Sequence, residues 1–465
     1  MASPMRGRPE AGTVLLLCDA LLAALAWPLV AGAEPPGGWL LGWAAYPACF
    51  VLFLYALGLY RRETLLETRR ALGRAVVAAL LGGLVATAAL ATVMLARDEP
   101  HPGGFWTTYA LSVGVFTATA TLGRLGLSAL RRRGAFRRRL LVVGAGQRAF
   151  DLIVLLRREG RMLGYDVAFL HDEATMGPVD PRLAADPECR ILPHGRRFLT
   201  AARAFGADQI VVAPDDRRGL PMESLLACRI AGFPVQEYLQ FLEREIRRVD
   251  IKRLEIGWLL YSDGFVFGPL DRWLKRAIDV TVSATLLLLA SPFLLLAALA
   301  VRLEDGGPVL YRQERVTRGG RVFRILKLRT MRVDAEKFGA VWATERDPRI
   351  TRFGHFLRRT RIDELPQLIN VLKGDMSFVG PRPERPEFVR ELAEKLPLYE
   401  ERHTVRAGLT GWAQVNYPYG ASLDDARSKL SYDLYYVKNF SVLFDLLIIL
   451  QTLRVVLWPG AAGAR

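Results

Sequence analysis

The sequence predicts a membrane α plus α/β protein. It would join an N-terminal four-helix transmembrane bundle, a Rossmann-like parallel-sheet middle domain and a mostly helical C-terminal domain. Three observations lead there. Four apolar stretches fill the first third, a strand–helix alternation follows, and an apolar run interrupted by proline opens the last part. The composition agrees. The 465 residues are 51% hydrophobic, carry a net charge of +16 and have a mean hydropathy of +0.17. Such a chain suits membrane segments and anionic lipid. Nothing argues for nucleic acid, since zinc spacings and RNA-binding aromatic motifs are absent. Cys18, Cys49, Cys189 and Cys228 are widely separated. They read as packing residues in a reducing compartment, not as a disulfide framework. A second apolar stretch follows the first quickly, which argues against a cleavable signal peptide.

The apolar stretches cover about residues 12–33, 38–60, 75–96 and 105–130. Each approaches the ~20 residues a helix needs to span a bilayer, and together they define a domain at 1–132. Arg61, Arg62, Arg69, Arg70 and Arg74 lie between the second and third. Arg131, Arg132, Arg133, Arg137, Arg138 and Arg139 follow the fourth. The other two loops hold Glu34, and Arg97 with Asp98 and Glu99. The positive-inside rule then puts the N-terminus, the middle loop and everything after residue 130 in the cytoplasm. Asp19, inside the first stretch, is expected to face the bundle or the interface.

Residues 135–250 read as the Rossmann-like domain. Leu140–Val143, Asp166–Leu170 and Gln209–Ala213 are strand-like runs, Phe233–Val235 is a shorter one, and a helix should run to Arg158. Gly144 and Gly146 form a Gly-x-Gly-x-x-Ala turn that is a weak nucleotide signal. A tight turn packing helix on strand is the plainer reading. Residues 251–270 form a linker.

In the domain at 271–465, an apolar run within 277–302 is broken by Ser291 and Pro292. One reading is a kinked spanning helix. The other is a re-entrant helix that enters and leaves on the same side. Lys275 and Arg276 before it, with Arg302, Arg312 and Arg315 after it, favour the second. Each half alone is too short to span.

The densest chemistry follows. Asp363 and Glu364 stand side by side, preceded by Arg358, Arg359 and Arg361. Pro366 belongs in a first helical turn, so the carboxylates should lie near a helix N-terminus. Paired carboxylates can divide two roles, one binding a metal and the other attacking phosphorus. An isolated Asp-Glu pair is more often a helix cap. Strand periodicity sets Lys327 and Arg329 on one face, and prolines 381 and 383 hold Arg382 on a stiff loop.

The run Arg361-Ile-Asp-Glu-Leu-Pro-Gln-Leu368, followed by Lys373-Gly-Asp-Met-Ser-Phe-Val-Gly-Pro-Arg-Pro-Glu384, resembles the bacterial polyprenyl-phosphate hexose-1-phosphate transferases. These are also called monotopic phosphoglycosyl transferases. The resemblance covers about residues 270–455, looks closest to the large exopolysaccharide-type members, and extends more weakly elsewhere. It implies that the C-terminal domain is monotopic and catalytic, with a Ser-Pro re-entrant hairpin, and that the middle domain is a degenerate nucleotide-binding fold. It implies transfer of hexose-1-phosphate from a UDP-sugar to polyprenyl (undecaprenyl) phosphate, releasing UMP. Asp363 would form a phospho-sugar intermediate and Glu364 would bind Mg2+. Lys327, Arg329, Arg358, Arg382 and Arg406 would hold phosphates. The setting would be a bacterial inner membrane with the catalytic domain cytoplasmic, and a homodimer is conceivable by the same resemblance. Arg402–Asn416 also matches, with Ala407 where proline is usual. His403 reads as structural more than as a general base, and Tyr417–Ser422 as a wall of the sugar pocket. Glucose and galactose lead as the sugar, with N-acetylated hexoses open. A membrane-bound nucleotide-sugar dehydratase or epimerase is disfavoured, because no lysine completes a Tyr-x-x-x-Lys pair. A non-enzymatic nucleotide-sensing scaffold would leave the Asp-Glu block idle.

Overall fold

The computed structural model describes residues 11–31, 39–60, 68–96, 105–132, 137–159, 162–192, 197–216, 218, 220–251, 268–333, 335, 347–418, 420 and 422–457. The loop charges Glu34, Arg61, Arg62, Arg97, Asp98, Glu99 and Arg133, and most of the 251–270 linker, lie outside these residues. The chain divides into two compact units, Met1–Ile246 and Arg247–Arg465.

The first unit begins with four apolar helices: α1 (Ala11–Ala31), α2 (Trp39–Ala56), α3 (Thr68–Ala96) and α4 (Phe105–Arg132). Each packs on the next, and α4 returns to α1. Trp27 stacks on Tyr46 at 4.5 Å and Phe50 on Phe116 at 4.8 Å. The Thr87 hydroxyl donates to Gly83 O, so Tyr46 donates to Thr87 across 2.6 Å. Asp19 faces inward, as expected, and meets buried Arg124 at 3.2 Å. Each charge is then held by the other in an apolar setting. Ala71–Ala96 and Trp106–Leu130 are long and apolar enough to cross a membrane, whereas the apolar segments Gly12–Pro28 and Ala44–Ala56 are shorter.

The sheet of this unit contains β1 (Arg138–Val143), β2 (Tyr165–Leu170), β3 (Arg190–Leu192), β4 (Gln209–Val212) and β5 (Val235–Glu237). All pairings are parallel, in the order β3-β2-β1-β4-β5. Helix α5 (Gln147–Arg158) follows β1, as the apolar run and Gly-x-Gly turn predict. Helices α6 (Phe198–Phe205) and α7 (Met222–Ile230) supply further crossovers. The edge strand β3 is absent from the sequence reading, because its residues are mostly exposed and form no apolar run.

Asp215, just after β4, occupies the N-terminal end of α5. Its two carboxylate oxygens accept from the backbone N–H groups of Gln147 and Arg148, both at 2.7 Å. A Cβ on Gly146 would lie 2.1 Å from Asp215 Oδ2. Gly146 is therefore small to admit a carboxylate of the chain itself, at the place where such turns usually hold phosphate.

The second unit opens with α9 (Pro269–Asp305), after α8 (Tyr238–Ile246) closes the first. The expected interruption at Ser291-Pro292 is not seen, and α9 is one helix with Pro292 inside it. Pro292 has no N–H for the carbonyl of Leu288, but the Ser291 hydroxyl donates to that oxygen at 2.7 Å. The orphaned acceptor is thus satisfied and the helix continues. Leu288, Phe293, Leu295, Leu296, Leu299 and Leu303 are all more than half exposed on it. That apolar surface is much more than a soluble helix shows, and Pro269–Asp305 is the third helix long and apolar enough to cross a membrane. With its homologues, described below, it marks a membrane protein.

After α9 comes an antiparallel hairpin, β6 (Leu310–Val316) and β7 (Val322–Leu328). Then follow α10 (Arg352–Thr360), α11 (Gln367–Lys373), β8 (Ser377–Val379), α12 (Pro386–Lys395) and β9 (Gly408–Thr410), the last parallel to β8. Helices α13 (Trp412–Asn416), α14 (Leu423–Lys438) and α15 (Val442–Leu457) finish the unit. Leu368, Val371, Met376, Phe378, Trp412, Tyr436 and Ile448 share one core. Val249 and Ile251 pack with Leu396, Tyr399, Leu430 and Leu434, so the chain joins this unit slightly before the expected linker. Helix α15 turns Asp445, Gln451 and Arg454 inward, with Leu443 and Val456 exposed. Its polar face is the buried one.

The Asp215 cap generates a test. Asp215→Ala should destabilise the sheet domain by about 1 kcal/mol or somewhat more, the usual cost of a lost N-cap. Thermal proteolysis of the sheet domain in the full-length protein reads it out. An unchanged unfolding midpoint would mean the two N–H groups find other acceptors without cost.

Candidate active site

Helix α10 carries a strong apolar stripe that buries Leu357. It ends at Arg361, whose φ of 60° lies in the left-handed region. A non-glycine residue there holds a disfavoured backbone that reverses the chain. The next residues, Ile362–Glu364, form one 3₁₀ turn, and Pro366 then caps α11. The carboxylate pair thus sits one turn before the helix where the sequence placed it.

The two acids have opposite surroundings. Glu364 Oε1 accepts from Lys327 Nζ and from Arg382 Nη2, each at 3.0 Å. Its Oε2 has Arg361 at 3.8 Å. Burial would raise its pKa, but Lys327, Arg382 and Arg361 hold it well below the ordinary value. Glu364 stays ionised. Asp363 is buried, and its Oδ1 has no hydrogen-bond partner. Burial first, then the charge of Glu364, pushes its pKa up to about 6, against the pull of Lys327, Arg358 and Arg361. The arrangement is one neutralised carboxylate beside one that is buried with an unpartnered oxygen.

Several residues that sequence reasoning missed hold this geometry. Asn370 on α11 accepts from Leu326 N at 3.0 Å and donates to Arg324 O at 2.9 Å. It stitches β7, and therefore Lys327, to the dyad segment. A polar residue on the buried face of a short helix was the signal available. Thr330 accepts from Arg358 Nε at 2.9 Å. Arg402 donates to the Arg382 carbonyl at 2.9 Å and pairs with Asp433 at 2.8 Å, both groups being buried. Gly380 lets β8 and β9 close up, since a Cβ there would meet the Arg406 carbonyl at 2.3 Å. At Ala407, where proline is usual, the backbone N–H donates to Thr317 Oγ1 at 3.1 Å, a bond proline could not make.

The candidates do not all converge. Lys327, Arg358 and Arg382 surround the dyad, with Arg361 added. Arg329 does not: it lies just past the end of β7 and turns to Asp305 at 2.5 Å and to the Pro308 carbonyl at 2.7 Å. The strand ends before it, so the expected shared face is lost. Arg406 lines a different cavity with Arg272, Arg276 and Arg318. Ser291 and Pro292 lie within α9, and Gly144 and Gly146 belong to the first unit. His403 is buried against Tyr399, and burial together with Arg402 lowers its pKa to about 4, so it is neutral near pH 7. Gly420 and Ser422, from the stretch expected to shape the sugar pocket, line a small cavity with Lys429 and Asp433.

Among the described residues no three acidic, histidine or cysteine side chains cluster to cage a metal. Magnesium needs less, often one or two carboxylates together with substrate phosphates. The unpartnered Asp363 Oδ1 and the less engaged Glu364 Oε2 fit that donor set.

The family described as "Bacterial sugar transferase" matches residues 270–459. The UDP-N-acetylgalactosamine-undecaprenyl-phosphate N-acetylgalactosaminephosphotransferase of Aeromonas hydrophila is 43% identical over 246 residues, 52% of this chain and 57% of that one. This chain thus spans little more than half the length of that relative. The UDP-glucose:undecaprenyl-phosphate glucose-1-phosphate transferase of Escherichia coli (strain K12) is 31% identical over 353 residues, 74% of this chain and 73% of that one. The exopolysaccharide production protein PSS of Rhizobium leguminosarum bv. phaseoli is 43% identical over 197 residues, 41% of this chain and 98% of that one. With the Asp-Glu turn and the Lys-Gly-Asp block in place, the chain belongs to the bacterial sugar transferases that act as polyprenyl-phosphate hexose-1-phosphate transferases.

Proposed function

We propose that the protein transfers a hexose-1-phosphate from a UDP-sugar to undecaprenyl phosphate, releasing UMP, as the first membrane step of an exopolysaccharide, capsule or O-antigen-type glycan. The observation that carries this reading is the asymmetry of the dyad: a buried, unpartnered Asp363 oxygen beside a Glu364 already neutralised by Lys327 and Arg382. The Aeromonas and Escherichia relatives are named for N-acetylgalactosamine and glucose respectively. Those two now lead as the sugar, and galactose remains a candidate.

In the first step an Asp363 carboxylate oxygen attacks the phosphorus that bears the sugar. The bond from that phosphorus to the bridging oxygen breaks, and UMP leaves with the electron pair. In the second step an oxygen of the polyprenyl phosphate attacks the same phosphorus. The bond to Asp363 breaks, the carboxylate is regenerated, and the product is a polyprenyl-diphospho-sugar. Lys327, Arg358 and Arg382 offset the diphosphate charge and orient it. Mg2+ held at Glu364, when bound, would supply further charge neutralisation there. Arg402 positions Arg382 through its backbone carbonyl.

The same reading sets α1–α4 as a four-helix transmembrane bundle in a bacterial inner membrane, with the catalytic unit cytoplasmic. It makes α9 a helix bent at Pro292 that enters and leaves on the cytoplasmic side. The basic groups at both of its ends support this. The sheet domain would be structural or regulatory, and its possible role in dimerisation rests on resemblance to relatives.

Asp363→Asn should lower kcat by at least about a thousandfold without unfolding the protein, because no covalent step remains. UMP release from a UDP-sugar in detergent measures this. Retention of a tenth or so of the wild-type rate would remove Asp363 from the role.

The pKa of Asp363 gives a pH dependence. Attack needs the carboxylate, and its pKa is raised to about 6, so activity is present above that pH and lost as pH falls through it. The logarithm of kcat/KM should rise with unit slope up to about pH 6 and then level. A flat profile across that range would refute an Asp363 titration.

The topology of α9 can be read in intact cells. With native cysteines replaced, a single cysteine at Gln313 should resist an impermeant maleimide until the inner membrane is opened. Pro292→Ala with Ser291→Ala should straighten the helix and increase labelling. Labelling of the Gln313 reporter in otherwise unaltered protein would mean that α9 spans, and would overturn the monotopic reading.

A further inference from the structure

The second unit contains a cavity of about 450 Å³ whose lining does not include the dyad. Arg272, Lys275 and Arg276 enter it from the first turns of α9, and Arg318 and Arg406 approach from the other side. Asp279 is the single acid on its described wall. Phe440, Tyr436, Val405 and Val379 give it an apolar side. The size is that of a small-ligand site.

Two of the five cations are already engaged. Lys275 meets Asp445 at 2.6 Å and Asp279 at 3.2 Å. Arg276 caps the C-terminal end of α11, donating to the carbonyls of Val371 at 2.6 Å and Leu372 at 2.7 Å. Asp279 Oδ1 is taken by Ser377 Oγ and Phe378 N, both at 3.0 Å. Arg272, Arg318 and Arg406 have no carboxylate partner among the described residues. Burial and the nearby Arg276 and Arg318 push the Arg406 guanidinium down, with Asp279 opposing them. An anion between these groups would relieve that crowding. Arginine suits a phosphate because its planar fork binds two oxygens at once.

The position selects the kind of anion. Lys275, Arg276 and Asp279 immediately precede the apolar run that begins at Val280, whose leucines are exposed farther along. The cavity therefore lies at the base of the apolar run of α9, the level at which headgroups would meet a membrane-inserted helix. Basic pockets at the base of membrane helices suit anionic phospholipid.

We propose that this cavity is a binding site for the phosphate headgroup of an anionic glycerophospholipid, separate from the transfer site. Arg272, Arg318 and Arg406 bind the phosphate, and the Phe440 side receives the start of the acyl chains. The bound lipid fixes the depth at which α9 enters the membrane.

The test uses full-length protein in detergent and native mass spectrometry. Dihexanoyl phosphatidylglycerol is titrated, with dihexanoyl phosphatidylcholine as the uncharged-overall control. Phosphatidylglycerol should bind saturably, one per chain, and phosphatidylcholine at least about tenfold more weakly, a difference of about 1.4 kcal/mol. Arg318→Gln combined with Arg406→Gln should weaken phosphatidylglycerol by at least tenfold or so, and Arg318→Lys with Arg406→Lys should recover part of the loss. Unaltered binding by the glutamine variant overturns the site. Equal affinity for the two lipids shows an apolar cavity only. Displacement by inorganic phosphate at equal concentration makes free phosphate the ligand, and tighter displacement by farnesyl phosphate makes this an acceptor pocket. Both overturn the phospholipid assignment. The readout is binding, so it stands or falls apart from the transfer reaction.

Discussion

The second unit depends on one lysine, mostly covered, that meets two buried carboxylates. Lys275 Nζ meets Asp445 Oδ2 at 2.6 Å, Asp279 Oδ1 at 3.2 Å and the Val379 carbonyl at 3.1 Å. These contacts join α9, α15 and β8 at one point, and Tyr436 on α14 adds a hydrogen bond to Asp445 at 2.8 Å. Two carboxylates around one ammonium would be poorly balanced alone. Asp279 is helped by the N–H of Phe378 and the hydroxyl of Ser377, and Asp445 by Tyr436. A buried network of this kind adds little net stability over apolar packing, but losing one member is costly, typically about 3–5 kcal/mol. Its consequence here is registry. The signature strand that leads to Arg382 is tied to the helix with the exposed apolar surface.

A second electrostatic asymmetry governs the dyad. Two adjacent buried carboxylates cannot both be comfortable as anions. Lys327 and Arg382 both choose Glu364 Oε1, and the discomfort falls on Asp363. Moving its pKa from 3.8 to about 6 makes its ionisation costlier than in water by roughly 3 kcal/mol. In the proposed reaction, a carboxylate in that state would be a better nucleophile than a solvated or ion-paired one, because it has less solvation and pairing to lose. The left-handed Arg361 helps to hold the pair in this turn.

What the sequence could show depended on whether the signal was local. The apolar stretches, the parallel-strand runs and the Asp-Glu turn were legible because each is a short pattern with its own physical period or composition. Lys327 and Arg382 were legible through resemblance and through the stiff Pro-Arg-Pro loop. Arg329 was misplaced because strand periodicity says nothing about where a strand stops, and this one stops at Leu328. Pro292 predicted a break because a lost N–H is local, whereas the Ser291 hydroxyl that satisfies Leu288 depends on its rotamer. Asn370, Arg402 and the Lys275–Asp445 pair were invisible because the partners that fix them are distant in sequence: Leu326 and Arg324 for Asn370, Asp433 for Arg402 and Asp445 for Lys275.

The protein meets one problem, an anion among oriented donors, in contrasting ways. At the N-terminal end of α5 the chain supplies its own anion, and Asp215 takes the backbone N–H groups that a nucleotide phosphate would use. The Gly-x-Gly turn can then persist as packing, with Gly146 kept small for the carboxylate. At the dyad the chain supplies Glu364, which holds Lys327 and Arg382 together. That spares the cations from mutual repulsion and, in the proposed reaction, would pre-orient them for the substrate. At the base of α9, Arg272, Arg318 and Arg406 have no carboxylate partner among the described residues, and the one acid on that wall, Asp279, already shares its Oδ1 with Ser377 and Phe378. Cations are tolerated in such numbers when solvent or a ligand supplies the missing charge. The same accounting that gives the turn at Gly146 an anion of the chain's own therefore directs attention to the base of α9, where the described residues provide donors and few anions.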